Sequence, residues 1–305
     1  MNCAAYSPLN LLMPPNPSNS KSALSRQMQH LRQQVDRIDS RILQLLQQRT
    51  KLSTRIGETK RRHRAVIYVP ERERQLLARV SRLSKGKLPP RAAASIYREI
   101  LSSSRAAQGQ APIGLLRASA AAVLPSARWC FGACDEFVSK KTWTELASGL
   151  TSGSLTLALL TGGDLARVLQ SPKVRRDFLA RFAVVGDFFP FLEPKVPLTR
   201  RIFMITPRMQ GIAGEADRLL ILIECKSTVN AVKSLLCAMP DRPIFVENVT
   251  LHASSTRYGT AALVRLVLPR LLDGAWVTGR MSAENAAVGL AVSLLGVYPG
   301  PENGG

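Results

Sequence analysis

The fold is decided by residues 41–60, which read RILQLLQQRTKLSTRIGETK. Apolar residues recur here at the spacing of an α-helix, and the same pattern runs from residue 31 to about residue 64 without a proline. We call this set the apolar stripe; it comprises Val35, Ile38, Ile42, Leu45, Leu46, Leu52 and Ile56. At roughly 1.5 Å per residue the helix would be about 50 Å long, which is longer than a small domain is wide.

Two cations lie in line with the apolar stripe. At about 100° per residue, Arg49 lies within about 20° of Ile42, and Lys60 lies within about 20° of Arg49. Arg32 borders the same face near the start of the helix. A buried cation needs an anion, which either a carboxylate of a neighbouring helix or an anionic ligand can supply. Alternatively, the cations reach solvent at the ends of a helical bundle.

The length and composition are those of a globular chain. Its 305 residues are 46% hydrophobic with a mean hydropathy of +0.01, enough for two or three domains with a sizeable core. No run approaches the roughly 18 to 20 apolar residues of a membrane span, and the N-terminal residues lack the features of a signal peptide. We therefore predict a cytoplasmic protein without a membrane partner.

The positive charge is concentrated in the first part of the chain. Residues 1–110 carry 21 Lys and Arg against 6 Asp and Glu, a net +15, whereas residues 111–305 carry 21 against 15, a net +6. This balance fits an anionic small molecule, a nucleic acid or a solvated basic face. The five cysteines are scattered, and the three histidines fall in no ligand-like spacing with them, so we expect no metal and no cofactor.

Two shorter helices follow the long one. The second is predicted to start after Pro70 and to end at Gly86, and the third starts after Pro89 and Pro90. Two short helices cannot cover the apolar stripe of the long helix within one chain, so the sequence predicts an intertwined helical dimer.

The polar residues of these helices suit a small hydroxylated dicarboxylate. Cations that could bind two carboxylates are Arg32, Arg49, Lys60 and Arg72. Ser104 and Gln108, one turn apart on the third helix, could donate neutral hydrogen bonds, and Glu73 could accept one from a hydroxyl. Catalysis at such a site would come from orientation and electrostatics.

Residues 26–110 resemble a known domain. The segments LRQQVDRIDSRILQLLQQRTKLSTRIGETK, VIYVPERE and IYREILSSSRAAQ are similar to the all-helical chorismate mutase domain of the bifunctional chorismate mutase/prephenate dehydratase family. The resemblance implies an intertwined homodimer that converts chorismate to prephenate in aromatic amino-acid biosynthesis. It also implies roles for seven residues.

By this resemblance, Lys60 and Gln108 contact the ether oxygen of the breaking bond, and Arg49 grips the substrate carboxylates together with Arg32 from the partner chain. Arg72 and Ser104 support the carboxylates, and Glu73 holds the ring hydroxyl. One position departs from the family pattern: Val69 stands where an Asp near the hydroxyl is frequent, which should weaken hydroxyl recognition.

Residues 111–210 resemble one lobe of the prephenate dehydratase. Residues 143–169 are predicted to form a helix, a strand, a turn at Gly162 and Gly163, and a second helix. The family's opening Gly-Pro-Glu-Gly-Thr-Phe motif is absent, and its Thr-Arg-Phe motif is altered around Thr199 and Arg200. We therefore expect dehydratase activity to be lost; the alternative is a bifunctional enzyme with a compact dehydratase.

Residues 217–300 resemble the ACT domain that ends these enzymes. Strands are predicted at 219–225, 244–253 and 260–268, with helices at 229–239 and 283–295. The closing LLGVYPG is similar to the family pattern, but the ligand motifs have diverged. A structural or dimerisation role is favoured over binding of an amino-acid effector.

The predicted protein is multidomain. An all-α mutase domain at 26–110 follows a disordered tail at 1–25 and precedes the α/β remnant at 111–210 and the α+β ACT-like domain at 217–300. A further alternative is a nonenzymatic nucleic-acid-binding protein, prompted by the basic front part and by the run KRRHR. An aromatic content of 6% and the lack of a stacking motif argue against nucleic acid as a partner.

Overall fold

A computed structural model gives the fold, in two compact units that comprise residues 1–51 and 52–305. The structure describes residues 17–63, 67–84, 86–188, 196–208, 215–225, 245–251, 260–273 and 291–298. None of the helices in these ranges is both long and apolar enough to cross a membrane.

The long helix α1 spans Pro17–Arg62. The predicted helix is confirmed, but the predicted disordered tail is wrong for residues 17–25, which are helical. Proline is well tolerated at the first position of a helix, since its missing N–H would have no partner there. No further Pro or Gly occurs before Gly57, so the helix extends upstream as far as Pro17.

The apolar stripe is uncovered where it lies in the first unit. Val35, Ile38, Ile42 and Leu45 are between 47% and 60% exposed, although their spacing is that of a buried helix face. Burying one such side chain contributes about 1.5 to 3 kcal/mol. Solvent exposure of this row is therefore unfavourable, and no described segment of the chain removes it from water.

Two helices continue the helical region in the second unit. Helix α2 spans Pro70–Leu83 and helix α3 spans Pro90–Ala107, so both begin at a proline, as predicted. Helix α2 ends three residues before the predicted end at Gly86. The two helices pack against each other, with Val80 of α2 and Leu101 of α3 buried.

An α/β segment follows the helices. Its sheet has the strand order β2-β1-β3-β5-β4; β1 is parallel to both of its neighbours, and β5 is antiparallel to both of its own. The strands are β1 (Ile113–Leu116), β2 (Phe137–Lys140), β3 (Leu157–Thr161), β4 (Phe182–Phe188) and β5 (Ile202–Pro207). The helices are α4 (Ala120–Phe131), α5 (Trp143–Ser152), α6 (Gly162–Gln170) and α7 (Pro172–Arg181).

The predicted helix, strand and helix at 143–169 are confirmed, but the predicted turn at Gly162 and Gly163 is wrong. These glycines are the first two residues of α6, and Thr161 caps the helix by accepting a hydrogen bond from the backbone N–H of Asp164 at 3.1 Å. A Cβ atom at residue 162 would lie 1.9 Å from the carbonyl oxygen of Leu198. Glycine is thus required there by close backbone approach.

A second sheet closes the described chain. It contains β6 (Glu215–Cys225), β7 (Phe245–Leu251), β8 (Thr260–Asp273) and β9 (Ala291–Tyr298) in the antiparallel order β7-β8-β6-β9. The three predicted strands are confirmed, whereas the predicted helix at 229–239 lies outside the described residues.

The predicted helix at 283–295 is wrong over its described part, since residues 291–295 belong to β9. Strand β9 pairs with β6, from Arg218 opposite Tyr298 to Glu224 opposite Ala291. Pairing satisfies the backbone donors and acceptors along this side of β6, and this tertiary demand outweighs the helical preference of a short apolar run.

The two sheets share one core within the second unit. Leu160 and Phe203 of the first sheet belong to the same buried cluster as Leu222 and Leu263 of the second. A charged contact joins them as well: Arg265 Nε of β8 lies 2.9 Å from Asp187 Oδ2 of β4.

We expect Val69→Asp to stabilise the start of α2. Val69 occupies the N-cap position with extended dihedral angles, and its side chain makes no capping hydrogen bond. An aspartate there can accept from the N–H groups of the second and third helical residues, Glu71 and Arg72, and should raise the free energy of unfolding by about 1 kcal/mol. Chemical denaturation of full-length protein measures the change. Val69→Ala is the control, and equal stability of the two variants would contradict the capping argument.

Candidate active site

The seven predicted site residues are divided between the two units. Arg32 and Arg49 lie on α1 within residues 1–51, where Arg32 is exposed and Arg49 is half-buried. The other five lie within residues 52–305: Lys60, Arg72, Glu73, Ser104 and Gln108.

Gly57 lets the end of α3 approach α1. A Cβ atom at this position would lie 2.6 Å from the carbonyl oxygen and 2.7 Å from the Cα of Gln108. The Arg61 guanidinium also donates to the Gln108 carbonyl, at 2.6 Å. Because residues three apart share a helix face, Lys60 lies on the side of α1 that meets Gln108. The backbone of Gln108 thus lies against the face of α1 that also carries Lys60.

Lys60 carries its ammonium group on a partly buried side chain. Nζ donates a hydrogen bond of 2.7 Å to the backbone carbonyl of Ile67, in the segment that precedes α2. Burial lowers the pKa of Lys60, and the negative charge of Glu73 opposes that shift. The pKa of Lys60 is therefore lower than that of an ordinary lysine, and the charge of Glu73, another predicted site residue, acts on it.

The amide of Gln108 has an unused acceptor. Its Oε1 atom is buried and has no hydrogen-bond partner among the described residues. The oxygen and nitrogen of a side-chain amide exchange places when the amide turns by about 180°. A bound ligand can therefore meet either a donor or an acceptor at this position of Gln108. Ser104, one turn earlier, is 5% exposed, and its hydroxyl donates to the carbonyl of Ile100 at 2.7 Å.

The start of α2 places the next pair of predicted residues. The N–H groups of Arg72 and Glu73 donate to the carbonyl of Val69, at 3.1 and 3.3 Å. The side chain of Arg72 is exposed, and Glu73 is half-buried. The isopropyl group of Val69 supplies no acceptor beside Glu73, in keeping with the departure noted in the sequence.

Glu73 is held by an arginine that the sequence analysis did not select. Nη1 of Arg105 on α3 donates to both carboxylate oxygens of Glu73, at 2.6 and 2.5 Å. Arg105 is 3% exposed, so its charge is removed from water and depends on anions for stabilisation.

A second carboxylate holds the other side of Arg105. Asp135, in the connection between α4 and β2, accepts from Arg105 Nε at 3.1 Å and from Nη2 at 2.7 Å. Nη2 also donates to the carbonyl of Phe131. Asp135 accepts further hydrogen bonds from Ser102 Oγ at 2.6 Å and from Gln110 Nε2 at 2.9 Å. We call Glu73, Arg105 and Asp135 the charged triad.

The charged triad perturbs the titration of its members. Burial raises the pKa of Glu73, and the charge of Asp135 adds to this rise, while Arg105 and Lys60 act against it. For Arg105, burial acts against the charged form, but hydrogen bonds and charges from Asp135 and Glu73 outweigh it and raise its pKa. Arg105 is therefore a permanent cation.

The signal that would have found Arg105 was present in the sequence. Ala93, Tyr97, Leu101 and Arg105 follow one another at intervals of four residues, so Arg105 lies in line with a buried helix face. The same criterion selected Arg49 and Lys60. Asp135 has no such signal, because a connection between a helix and a strand has no periodicity.

The arrangement can bind an anion and stabilise negative charge. It offers an ammonium, an amide whose buried oxygen has no partner among the described residues, and a buried hydroxyl, and the charge of the Glu73 carboxylate acts on the ammonium. Among the described residues, no group of three or more His, Cys, Asp or Glu side chains is placed to hold a metal ion.

Comparison with known proteins identifies the helical region. Residues 31–109 match the family model of chorismate mutase type II. The chain is 46% identical over 80 residues to the bifunctional chorismate mutase/prephenate dehydratase of Aquifex aeolicus strain VF5, covering 25% of this chain and 22% of the relative. It is 41% identical over 71 residues to the protein of the same name from Neisseria gonorrhoeae strain ATCC 700825 / FA 1090, covering 23% and 19%.

The chain thus spans about a fifth of the length of these curated relatives. Prephenate dehydratase from Streptococcus mutans has a similar solved structure, with 12% sequence identity and a TM-score of 0.36; the match covers 62% of this chain and 98% of that one. Residues 31–109 form a chorismate mutase type II domain.

We expect Gly57→Ala to destabilise the helical domain and to displace Gln108. The added methyl group would meet backbone atoms of Gln108, which cannot rotate away as a side chain can. Overpacking of this kind costs about 1 to 3 kcal/mol, which urea denaturation followed by circular dichroism would measure. Glu58→Ala introduces the same side chain at the neighbouring exposed position. Equal stability of the two variants would contradict the close approach at Gly57.

Proposed function

We propose that the chorismate mutase type II domain at residues 31–109 is active and converts chorismate to prephenate. One observation carries the proposal: the contact at Gly57 places Lys60 and Gln108 on adjoining surfaces of α1 and α3. The family match supports this reaction, and the contact at Gly57 supports Lys60 and Gln108 as the two groups that act on its transition state.

The reaction is a unimolecular rearrangement. The side chain of chorismate must fold over the ring, and negative charge develops on the ether oxygen as the bond breaks. We assign the catalytic contact with that oxygen to Lys60 and Gln108. Donors fixed in advance at a developing charge need no reorganisation during the reaction. The ammonium of Lys60 uses one of its three N–H groups on the carbonyl of Ile67, and two remain for the ether oxygen. The Gln108 amide would donate through its nitrogen, and its buried oxygen has no partner among the described residues that fixes the amide in the other orientation.

The remaining predicted residues would hold the substrate in its reactive conformation. We assign Arg49 and Arg32 of the partner chain to the two carboxylates, supported by Arg72 and Ser104, and we assign Glu73 to the ring hydroxyl. Positioning contributes at most about 7 to 11 kcal/mol when it replaces a bimolecular encounter, and that range is an upper bound for one substrate. No general acid is needed.

We also propose that the active form is a homodimer joined through α1. The exposed apolar stripe supports it, because four large aliphatic side chains in one row favour a helical partner with a matching row. A second copy of the chain supplies such a row by symmetry. It would also supply Arg32 to the partner's site.

The rest of the chain is proposed to be a dehydratase-like segment at 111–210 and an ACT-like domain at 217–300. Antiparallel strands with β6 between β8 and β9 fit a split βαβ arrangement and support the second assignment. We propose that dehydratase activity is lost, since Thr199 and Arg200 are exposed on a single-turn 3₁₀ helix, Leu198–Arg200. The names of the relatives favour the bifunctional alternative. An amino-acid effector of the ACT-like domain is left to experiment.

We expect purified full-length protein to consume chorismate without forming phenylpyruvate. The loss of chorismate absorbance measures the first reaction, and phenylpyruvate quantified without acid treatment measures the second. Lys60→Ala and Arg49→Ala should each lower kcat/KM about 100-fold or more, because each removes a charge that acts on the reacting substrate. Phenylpyruvate formation would establish the bifunctional alternative, and unchanged activity in both variants would contradict the site.

Two variants control this experiment. Lys51→Ala removes an exposed cation from the same helix and should leave kcat/KM unchanged. Lys60→Arg keeps the charge on a group that does not titrate. Because burial lowers the pKa of Lys60, wild-type activity should fall as alkaline pH rises through that lowered value, whereas the residual activity of Lys60→Arg should persist. If the wild type and Lys60→Arg lost activity over the same alkaline pH range, the group that titrates would not be Lys60.

We expect Ile38→Glu to dissociate the dimer. The side chain is 60% exposed in the single chain and would be buried between two copies, so a carboxylate there would be buried twice. The dissociation constant should rise at least tenfold, about 1.4 kcal/mol, in analytical ultracentrifugation. Gln47→Glu places the same carboxylate on the opposite face of α1. A monomeric wild-type protein at micromolar concentration would contradict the proposal.

A further inference from the structure

The connection between α4 and β2 contacts the mutase domain through side chains of α3, and Arg105 makes the largest number of these hydrogen bonds. Arg105 has five N–H donors, and all five are directed to acceptors of the charged triad or to the carbonyl of Phe131. Glu73 belongs to the matched mutase region, whereas Phe131 and Asp135 lie beyond residue 109, where the match ends.

We infer that Arg105 is a positioning residue of the mutase site, fixed by Asp135, and that the α/β segment thereby completes that site. The inference rests on the proposed function, since it assigns Glu73 to the substrate hydroxyl. Arg105 acts through Glu73 and is not assigned a contact with the substrate.

Glu73 can still accept a hydrogen bond from a substrate hydroxyl while it is bound to Arg105. Arg105 Nη1 uses one acceptor position on each carboxylate oxygen, and an ionised carboxylate offers about four. The Glu73 side chain is 21% exposed, whereas Asp135 is 2% exposed. The outer member of the charged triad is thus accessible to a hydroxyl, and the inner member serves as the anchor.

The orientation of Glu73 is fixed by the planar guanidinium group of Arg105, which donates hydrogen bonds in two directions at once. One guanidinium edge, Nε and Nη2, meets Asp135 in a two-point contact, which leaves Nη1 directed at Glu73. Ser102 and Gln110 donate to Asp135 and hold its carboxylate in place. A lysine at position 105 could carry the charge but could not form both contacts in one plane.

Titratable groups face Glu73 from four segments of the chain. Arg105 faces it from α3, Asp135 from the connection between α4 and β2, and Lys60 from α1, while Tyr68 lies just before α2. With Tyr68 neutral, the two cations balance the two carboxylates. Burial raises the pKa of Tyr68 and keeps it neutral, so removing a single charged member leaves an imbalance at Glu73.

The test follows activity in single and double variants of the full-length protein. Arg105→Gln should lower kcat/KM about 10- to 100-fold, since misplacing a group that orients the substrate has effects of this size. In a Glu73→Gln background the same change should cost less than about threefold, because its effect passes through Glu73. Arg105→Lys should fold, but its kcat/KM should stay as low as that of Arg105→Gln. Equal losses in both backgrounds would overturn the inference.

A second readout does not depend on activity. The Glu73 carboxyl, assigned by its absence from the Glu73→Gln spectrum, can be titrated by carbon NMR. Its pKa should rise in Arg105→Gln, which removes a cation, and fall in Asp135→Asn, which removes an anion of similar shape. An unchanged titration in Asp135→Asn would overturn the inference. If Arg105→Gln does not fold, the near-isosteric Asp135→Asn carries the test.

Glu99→Gln is the matched control. Glu99 lies on the same helix as Arg105, and its carboxylate accepts from the backbone N–H of Ala133 at 3.0 Å, in the same connection that holds Asp135. This variant should alter neither kcat/KM nor the Glu73 titration; changes as large as those of Asp135→Asn would reduce the charged triad to a packing contact. A wild-type protein inactive on chorismate would reject the proposed function, while the Glu73 titration would still decide the role of Arg105.

Discussion

A guanidinium that is 3% exposed needs anions around it, and Arg105 depends on two. Glu73 approaches from α2 and Asp135 from the connection after α4, so the pairing that stabilises this charge also joins three elements of the second unit. Breaking one partner of such a cluster costs more than an exposed ion pair would, because an uncompensated charge remains buried. The end of the mutase domain and the start of the α/β segment are therefore tied by electrostatics as well as by the chain.

A different constraint acts on α1. Its apolar stripe continues along a helix of 46 residues, too long for two short helices to cover. The exposed row in the first unit is a consequence of that length, and the proposed dimer is the arrangement in which the row is buried without adding another element. The length of α1 and the exposure of its apolar stripe are therefore the two features that favour the proposed dimer.

The sequence predicted those features that depend on local periodicity and on proline. Helices α2 and α3 begin at Pro70 and Pro90 as expected, because helical spacing and a proline at the first position are local signals. Strand β9 was mistaken for a helix, because its conformation depends on pairing with β6, a partner about seventy residues earlier. Local preference is a weak guide where a distant strand needs an edge partner.

In the candidate site, too, some residues can be identified from a local sequence pattern and others only from the fold. Lys60 and Gln108 could be selected from helical spacing and resemblance, and the fold places their helix faces together. Asp135 could not be selected, because its role depends on where an aperiodic connection lies in three dimensions. Arg105 meets the helical-face criterion, because it follows Ala93, Tyr97 and Leu101 at intervals of four residues.

The position of Asp135 changes how sequence divergence in the α/β segment can be interpreted. A segment that has given up its own reaction is ordinarily expected to accumulate substitutions evenly over its surface. Here, Thr199 and Arg200 are exposed, whereas Asp135 is tied through Arg105 to Glu73, which lies in another part of the chain. Slower change at Asp135 than at Thr199 and Arg200 among related chains would indicate that the α/β segment is retained for the site that Asp135 supports.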